Sequence, residues 1–99
     1  MYASVIEGKF IAEKRDEAIA LMDGLIEELS SKVEGLRGIM VLDRGNDIST
    51  TVAVYDTKAN FEAAAPIAQE VLGKLAPYLA EMPQRAGCEV LYGKRFATD

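Results

Sequence analysis

Histidine is absent from all 99 residues. Whatever chemistry this chain performs must therefore run without the side chain that ordinarily moves protons near neutral pH. The absence also removes Ser-His and Cys-His nucleophile pairs and every histidine ligand for metal or haem. Carboxylates, Tyr, Lys, Arg, Asn, backbone groups and the substrate's own reactivity remain. Tyr55 ends a β-like run just before a helical pattern. A buried tyrosine needs a partner for its hydroxyl, so it could hydrogen-bond a ligand at a cavity mouth. The simpler reading is a core aromatic whose hydroxyl reaches solvent. Arg37 stands where another strand begins. It could hold an anionic or phenolate substrate through charge-assisted hydrogen bonds, but a rim ion pair with an acid such as Asp43 or Glu89 is the safer reading. Glu7 interrupts the first strand and could act as a general base in a dry pocket, although a cross-strand pair with Arg95 is simpler.

The remaining candidates are softer. Met22 and Met40, with Leu25, could line an apolar pocket, a spacing that more often marks core. Tyr92 reads as mid-strand, sharing a face with Cys88 and Val90, where packing or a dimer contact outweighs ligand binding. Tyr78 reads as a lid over the core. One cysteine excludes an intramolecular disulfide framework and a Cys-only metal site. With no base to activate it, Cys88 is expected to be a small buried apolar residue. The acids between residues 16 and 28 lack metal-loop spacing and read as a solvated face. No metal and no cofactor is expected, and no residue is assigned a catalytic role.

The elements that must position these groups follow from periodicity. Met1–Phe10 alternates as a strand. From about Lys14 to Val33, Ala18, Leu21, Met22, Leu25, Leu29 and Val33 fall on one helical stripe, and Gly35 is the natural stop. Leu36–Arg44 and Ile48–Asp56 are strands about the turn Gly45-Asn46-Asp47. A second helical region starts near Lys58, is broken at Pro66, which opens its longer piece, and frays at Pro77 and Pro83. Cys88–Phe96 is the last strand. The order β-α-β-β-α-β predicts an α+β, ferredoxin-like domain spanning residues 1–99, with a four-stranded antiparallel sheet and both helices on one face.

Charge narrows the partners. The net charge is −5, without a basic cluster. This argues against nucleic acid, which requires concentrated Lys and Arg, and against an anionic membrane surface. No stretch approaches a membrane span or a signal-peptide core, so a soluble cytoplasmic protein is expected. The hairpin adds a positive expectation. Alternation assigns Ile39, Val41, Ile48, Thr50, Val52 and Val54 to one face. It assigns Met40, Leu42, Ser49, Thr51, Ala53 and Tyr55 to the other. Both faces are apolar or small, whereas a sheet covered on one side should be polar on the other. The helices cover one face, and a second copy of the sheet is the simplest cover for the other, which predicts a homodimer packed through its sheets.

The segments "MYASVIEGKF", "KRDEAIALM", "GLRGIMVL", "VAVYDTKANFEAA" and "CEVLYGKRF" resemble the antibiotic biosynthesis monooxygenase (ABM) domain of the dimeric α+β barrel superfamily, over nearly the whole chain. The resemblance implies a dimer whose sheets form a barrel and a small cavity between each sheet and its helices. Members of the family include cofactor-free oxygenases of quinol-like or polyketide aromatics, haem-degrading enzymes and proteins with no known role. Two departures matter. Tyr55 stands where the family commonly has Trp, and Ala64-Ala65-Pro66-Ile67 stands where the haem-degrading branch needs its histidine. That branch is therefore not expected here. The expected function is binding of a small apolar or aromatic molecule in the sheet–helix cavity. The alternative is a cofactor-independent monooxygenase acting on a phenolic or quinol-like substrate, and a third reading is a structural dimer without ligand. Tyr55, Arg37, Glu7, Met40, Met22 and Tyr92 are the candidate substrate contacts.

Overall fold

A computed structural model describes residues 1–92. Its elements are β1 (Tyr2–Lys9), α1 (Arg15–Lys32), β2 (Leu36–Gly45), β3 (Ile48–Tyr55), α2 (Lys58–Ala63), α3 (Ala65–Leu75) and β4 (Arg85–Glu89), with single 3-10 turns at Ala12–Lys14 and Ala76–Tyr78. The strands form one sheet in the order β2-β3-β1-β4 with antiparallel pairing throughout. This is the α+β ferredoxin-like arrangement expected from the element order.

Helix α1 begins with Asp16 and Glu17 at its positive end and buries Ala18, Leu25 and Leu29. Gly35 follows it with φ +79, a conformation glycine adopts without strain. A Cβ at Gly35 would also collide with the Asn60 amide. That crowding joins the start of β2 to the start of α2, where Thr57 Oγ1 accepts from the Asn60 backbone N–H at 3.0 Å. Pro66 opens α3 as expected, occupying its first turn, where its missing N–H costs least. Leu25, Leu29, Ala53, Tyr55, Val71 and Leu75 form the centre of the core. No described helix is long and apolar enough to cross a membrane.

The hairpin corrects the expected faces. Asn46 and Asp47 both have positive φ, the signature of a two-residue turn whose twist matches the flanking strands. Gly45 pairs with Ile48, but Asp43 pairs with Ser49, so Arg44 is an extra residue in β2. The Asp43 carboxylate spans this bulge, accepting from the Gly45 N–H at 2.9 Å. A one-residue slip moves every side chain of a strand to the opposite face. Ile39 and Val41 therefore join Thr51, Ala53 and Tyr55 beneath the helices, opposite Ala53 and Thr51 respectively. Met40 and Leu42 join Thr50, Val52 and Val54 on the open side, with Met40 and Leu42 exposed. A second slip between Leu36 and Gly38 places Arg37 in another bulge.

The last strand is also displaced. β4 runs over Arg85–Glu89 rather than Cys88–Phe96, pairing Arg85 with Ile6 and Glu89 with Tyr2. Tyr92 consequently lies beyond the strand and is 81% exposed, not mid-strand. Cys88 is exposed rather than buried. Residues 93–96 of the expected strand, and Arg95 with its expected pairing to Glu7, lie outside the described residues.

Candidate functional site: the sheet–helix cleft and the β4 edge

The layer between sheet and helices contains two adjoining cavities. The deeper one, of about 80 Å³, is walled by Met22 and Leu25 of α1, Val71 of α3, Ile6 of β1, and Ile39 and Val41 of β2. Thr51 brings a single hydroxyl to its lining. The second, of about 160 Å³, lies at the hairpin end and shares Met22 and Val41 with the first. Met22 thus stands between an apolar chamber and a more polar mouth formed by Arg15, Asp43 and Ser49.

The mouth is electrostatically committed. Arg15 Nη2 donates to Asp43 Oδ2 at 2.9 Å, and its Nε and Nη1 lie 4.0 and 3.8 Å from carboxylate oxygens of Asp47 and Asp16. One guanidinium therefore faces three carboxylates. An anion gains little there, whereas a neutral hydroxyl or a cation is tolerated. Arg15 and Asp43 are partly exposed, so their ion pair is worth no more than about 1 kcal/mol, and Asp16 is almost fully in water.

A different arrangement occupies the other end of the sheet. Arg85, the first residue of β4, lays its guanidinium over the Phe61 ring, 3.9 Å from the centroid. Its Nη2 donates to the Phe61 carbonyl at 2.8 Å and to the Tyr55 hydroxyl at 3.3 Å. Tyr55 meets the same Phe61 ring edge-on at 5.8 Å, and Tyr2 contacts it at 4.9 Å. Gly87 makes this possible, because a Cβ there would sit 2.6 Å from Phe61 and 2.8 Å from Tyr2.

The structure does not gather the six sequence candidates into one site. Met22 lines both cleft cavities. Tyr55, 1% exposed, is a core residue whose hydroxyl is held by Arg85 rather than reaching solvent. Met40 and Glu7 belong to the opposite side of the sheet, where Glu7 lies 3.6 Å from Arg44. Arg37 sits on the rim in the ion pair that was the safer reading, 3.4 Å from Asp56, an acid other than the Asp43 or Glu89 given as examples. Tyr92 is exposed beyond β4. Residue periodicity does not foreshadow the Arg85–Phe61 stack or the Arg15–Asp43 pair. One signal was present: "RAGC" puts a lone cation beside three small residues, room for a ring to approach the sheet.

No family model matches the chain, and no curated protein matches it. Solved structures do. One from Nitrosomonas europaea, provisionally named antibiotic biosynthesis monooxygenase, superposes with a TM-score of 0.76 at 14% identity, covering 93% of this chain and 100% of that one. A protein of unknown function from the same organism gives 0.78 at 16% identity, with 95% and 92% covered. A conserved protein from Methanosarcina mazei Go1 gives 0.73 at 21% identity, with 88% and 89% covered. The chain shares the fold of these proteins, the one the ABM resemblance implied. A shared fold does not carry a shared activity.

Proposed function

We propose that this chain, built on the ABM-type fold, binds a small apolar or aromatic molecule in the cleft between its sheet and helices, as a homodimer joined through the open sheet faces. The observation that carries the reading is the apolar chamber walled by Met22, Leu25, Ile39 and Val71, which shares Met22 and Val41 with a second cavity that offers hydrogen-bonding groups. Apolar lining with a few convergent polar groups is the usual construction of a small-molecule site. Indole is a suitable probe. It should produce saturable shifts in the NMR signals of cleft residues. Ala68→Leu, which places three more carbons in the chamber, should abolish them while the protein stays folded. Wild-type protein that shows no such shifts would leave the third reading, an interaction dimer without ligand.

The dimer is supported by Met40 and Leu42, exposed beside half-buried Val5 and Val52 on the sheet face away from the helices. An uncovered patch of this kind is uncommon on soluble monomers. Sedimentation at micromolar concentration should give twice the chain mass, and Val52→Lys should give a folded monomer. A monomeric wild-type protein overturns this part of the reading.

A second reading, a cofactor-independent monooxygenase acting on a phenolic or quinol-like substrate, is favoured by the provisional names of several structural neighbours. In that case the substrate's own anion reduces oxygen, and the protein contributes orientation and electrostatic stabilisation. Oxygen uptake with hydroquinone, abolished by Ala68→Leu, is the expected outcome. Uptake equal to that of buffer rejects it.

A further inference from the structure

Arg85 carries a charge that no described carboxylate answers. Its hydrogen bonds go to neutral oxygens, Phe61 O and Tyr55 Oη, and both come from Nη2. Nη1 makes no hydrogen bond to a described residue. Nε is buried and finds no acceptor among them. Taking a guanidinium partly out of water is costly. Stacking on an aromatic ring offsets only part of that cost, and an orphaned buried N–H adds to it. A structural arginine would be expected to spend its donors on the fold. Here most of them are kept off it.

The same residue forms one wall of a pocket of about 450 Å³ between α3 and the segment entering β4. Leu72, Met82 and Pro83 supply its apolar surface, and Gln69 and Gln84 bring amides. The volume falls in the range of about 300 to 1,000 Å³ typical of small-molecule sites. Leu72 is the wall it shares with the deeper cleft chamber. Among the described residues, the pocket lining contains one cation with no carboxylate paired to it, amide donors and no acidic residue. We propose that it binds the carboxylate of a small organic acid, with Arg85 as the anion-binding residue and the apolar walls holding the acid's body. With Nη2 engaged and Nε closed off from water, Nη1 is the nitrogen left to give a carboxylate a charge-assisted hydrogen bond. With one cation present, a monoanion is matched and a phosphate dianion is not.

Benzoate is the probe and benzamide its neutral isostere. Benzoate at millimolar concentration should saturate and shift the Arg85 Nε–H signal in 1H–15N spectra, a response that a purely structural arginine would not give. Benzamide should bind at least about tenfold more weakly. Arg85→Gln should abolish benzoate binding. If that variant fails to fold, Gln69→Glu keeps the question open to test, since it changes an exposed helical residue to a like charge facing the ligand. It should weaken benzoate by about tenfold and leave benzamide unchanged. Equal binding of benzoate and benzamide, indifference to Gln69→Glu, or no benzoate response in the wild-type protein overturns the proposal. Ala68→Leu fills the cleft chamber and not this pocket, so it should leave benzoate binding intact. Failure of the cleft reading and failure of this one are therefore distinguishable.

Discussion

Arg15 and Arg85 are the same residue type at opposite ends of one sheet–helix layer, and their surroundings give them opposite roles. Arg15 is about one-third exposed among Asp16, Asp43 and Asp47. Its charge is locally overcompensated, and water screens what remains. Arg85 is flattened on Phe61, holds the Tyr55 hydroxyl, and has no described acid beside it. The first arginine positions a turn. The second is both a core strut and an unspent positive charge. A guanidinium's usefulness to a ligand is thus set by what already surrounds it rather than by how exposed it is.

Paired alanine substitutions give the largest contrast. Arg85→Ala removes the stack, strips Tyr55 of its partner and leaves the Phe61 carbonyl unanswered. Loss of stability of about 3 kcal/mol is expected in urea unfolding. Arg15→Ala should lose about 1 kcal/mol or less, and that loss should shrink in salt. Equal losses would break the comparison, because they would mean that the ion-paired arginine is as structural as the stacked one.

Gly87→Ala sharpens it further. The added methyl would intrude on the Phe61 and Tyr2 rings, forcing them off the sheet and the guanidinium with them. Overpacking of this kind costs about 1 to 3 kcal/mol. The near-ultraviolet tyrosine signal should change along with stability, since Tyr2 and Tyr55 both touch Phe61. Gly73→Ala is the control. Its Cβ would meet nothing within 4 Å, and a helical alanine is favoured over glycine by about 1 kcal/mol. Stability should rise there.

The same contrast explains what the sequence could and could not reveal. The α1 stripe is legible because helical burial repeats every three to four residues, and Leu25 and Leu29 are buried as that repeat requires. Asn46 and Asp47 are legible as a turn because few residues tolerate positive φ. The pairing of faces across the hairpin is not legible. It depends on Arg44 being looped out, a backbone event that leaves the residue pattern unchanged. β4 hid for a related reason. "RAGCE" has almost no strand propensity, and it is recruited by the free edge of β1 rather than by its own residues. Met22 could be picked out as a pocket-liner from its place on the helix. For Arg85 the sequence offers only a lone cation beside small residues, because its role comes from Phe61 and Tyr55, 24 and 30 residues away.

The smallest expected effect concerns charges that behave like Arg15. Glu28 of α1 accepts from Lys74 of α3 at 3.0 and 3.1 Å and from Lys32 at 3.0 Å, tying the two helices across the roof of the cleft. The hydrogen bonds from Lys74, and then from Lys32, hold the Glu28 carboxyl below its ordinary value of 4.5, while Glu28 raises Lys32 above its ordinary 10.5. A carboxyl that is more acidic when folded binds fewer protons in the native state than in the unfolded chain between those two values. Its contribution is therefore fully present above 4.5 and is lost as pH falls through the lowered folded value. Lys32 has the reverse sense: its contribution is fully present below 10.5 and is lost as pH rises through the raised folded value. Glu28→Gln should accordingly unfold slightly more easily than wild type near neutrality. The difference should narrow on acidification below 4.5 and shrink with added salt. A gap that stayed constant through the acid limb would show that the roof is held by packing of α1 on α3 alone, and that the exposed ion cluster contributes nothing to closing the cleft.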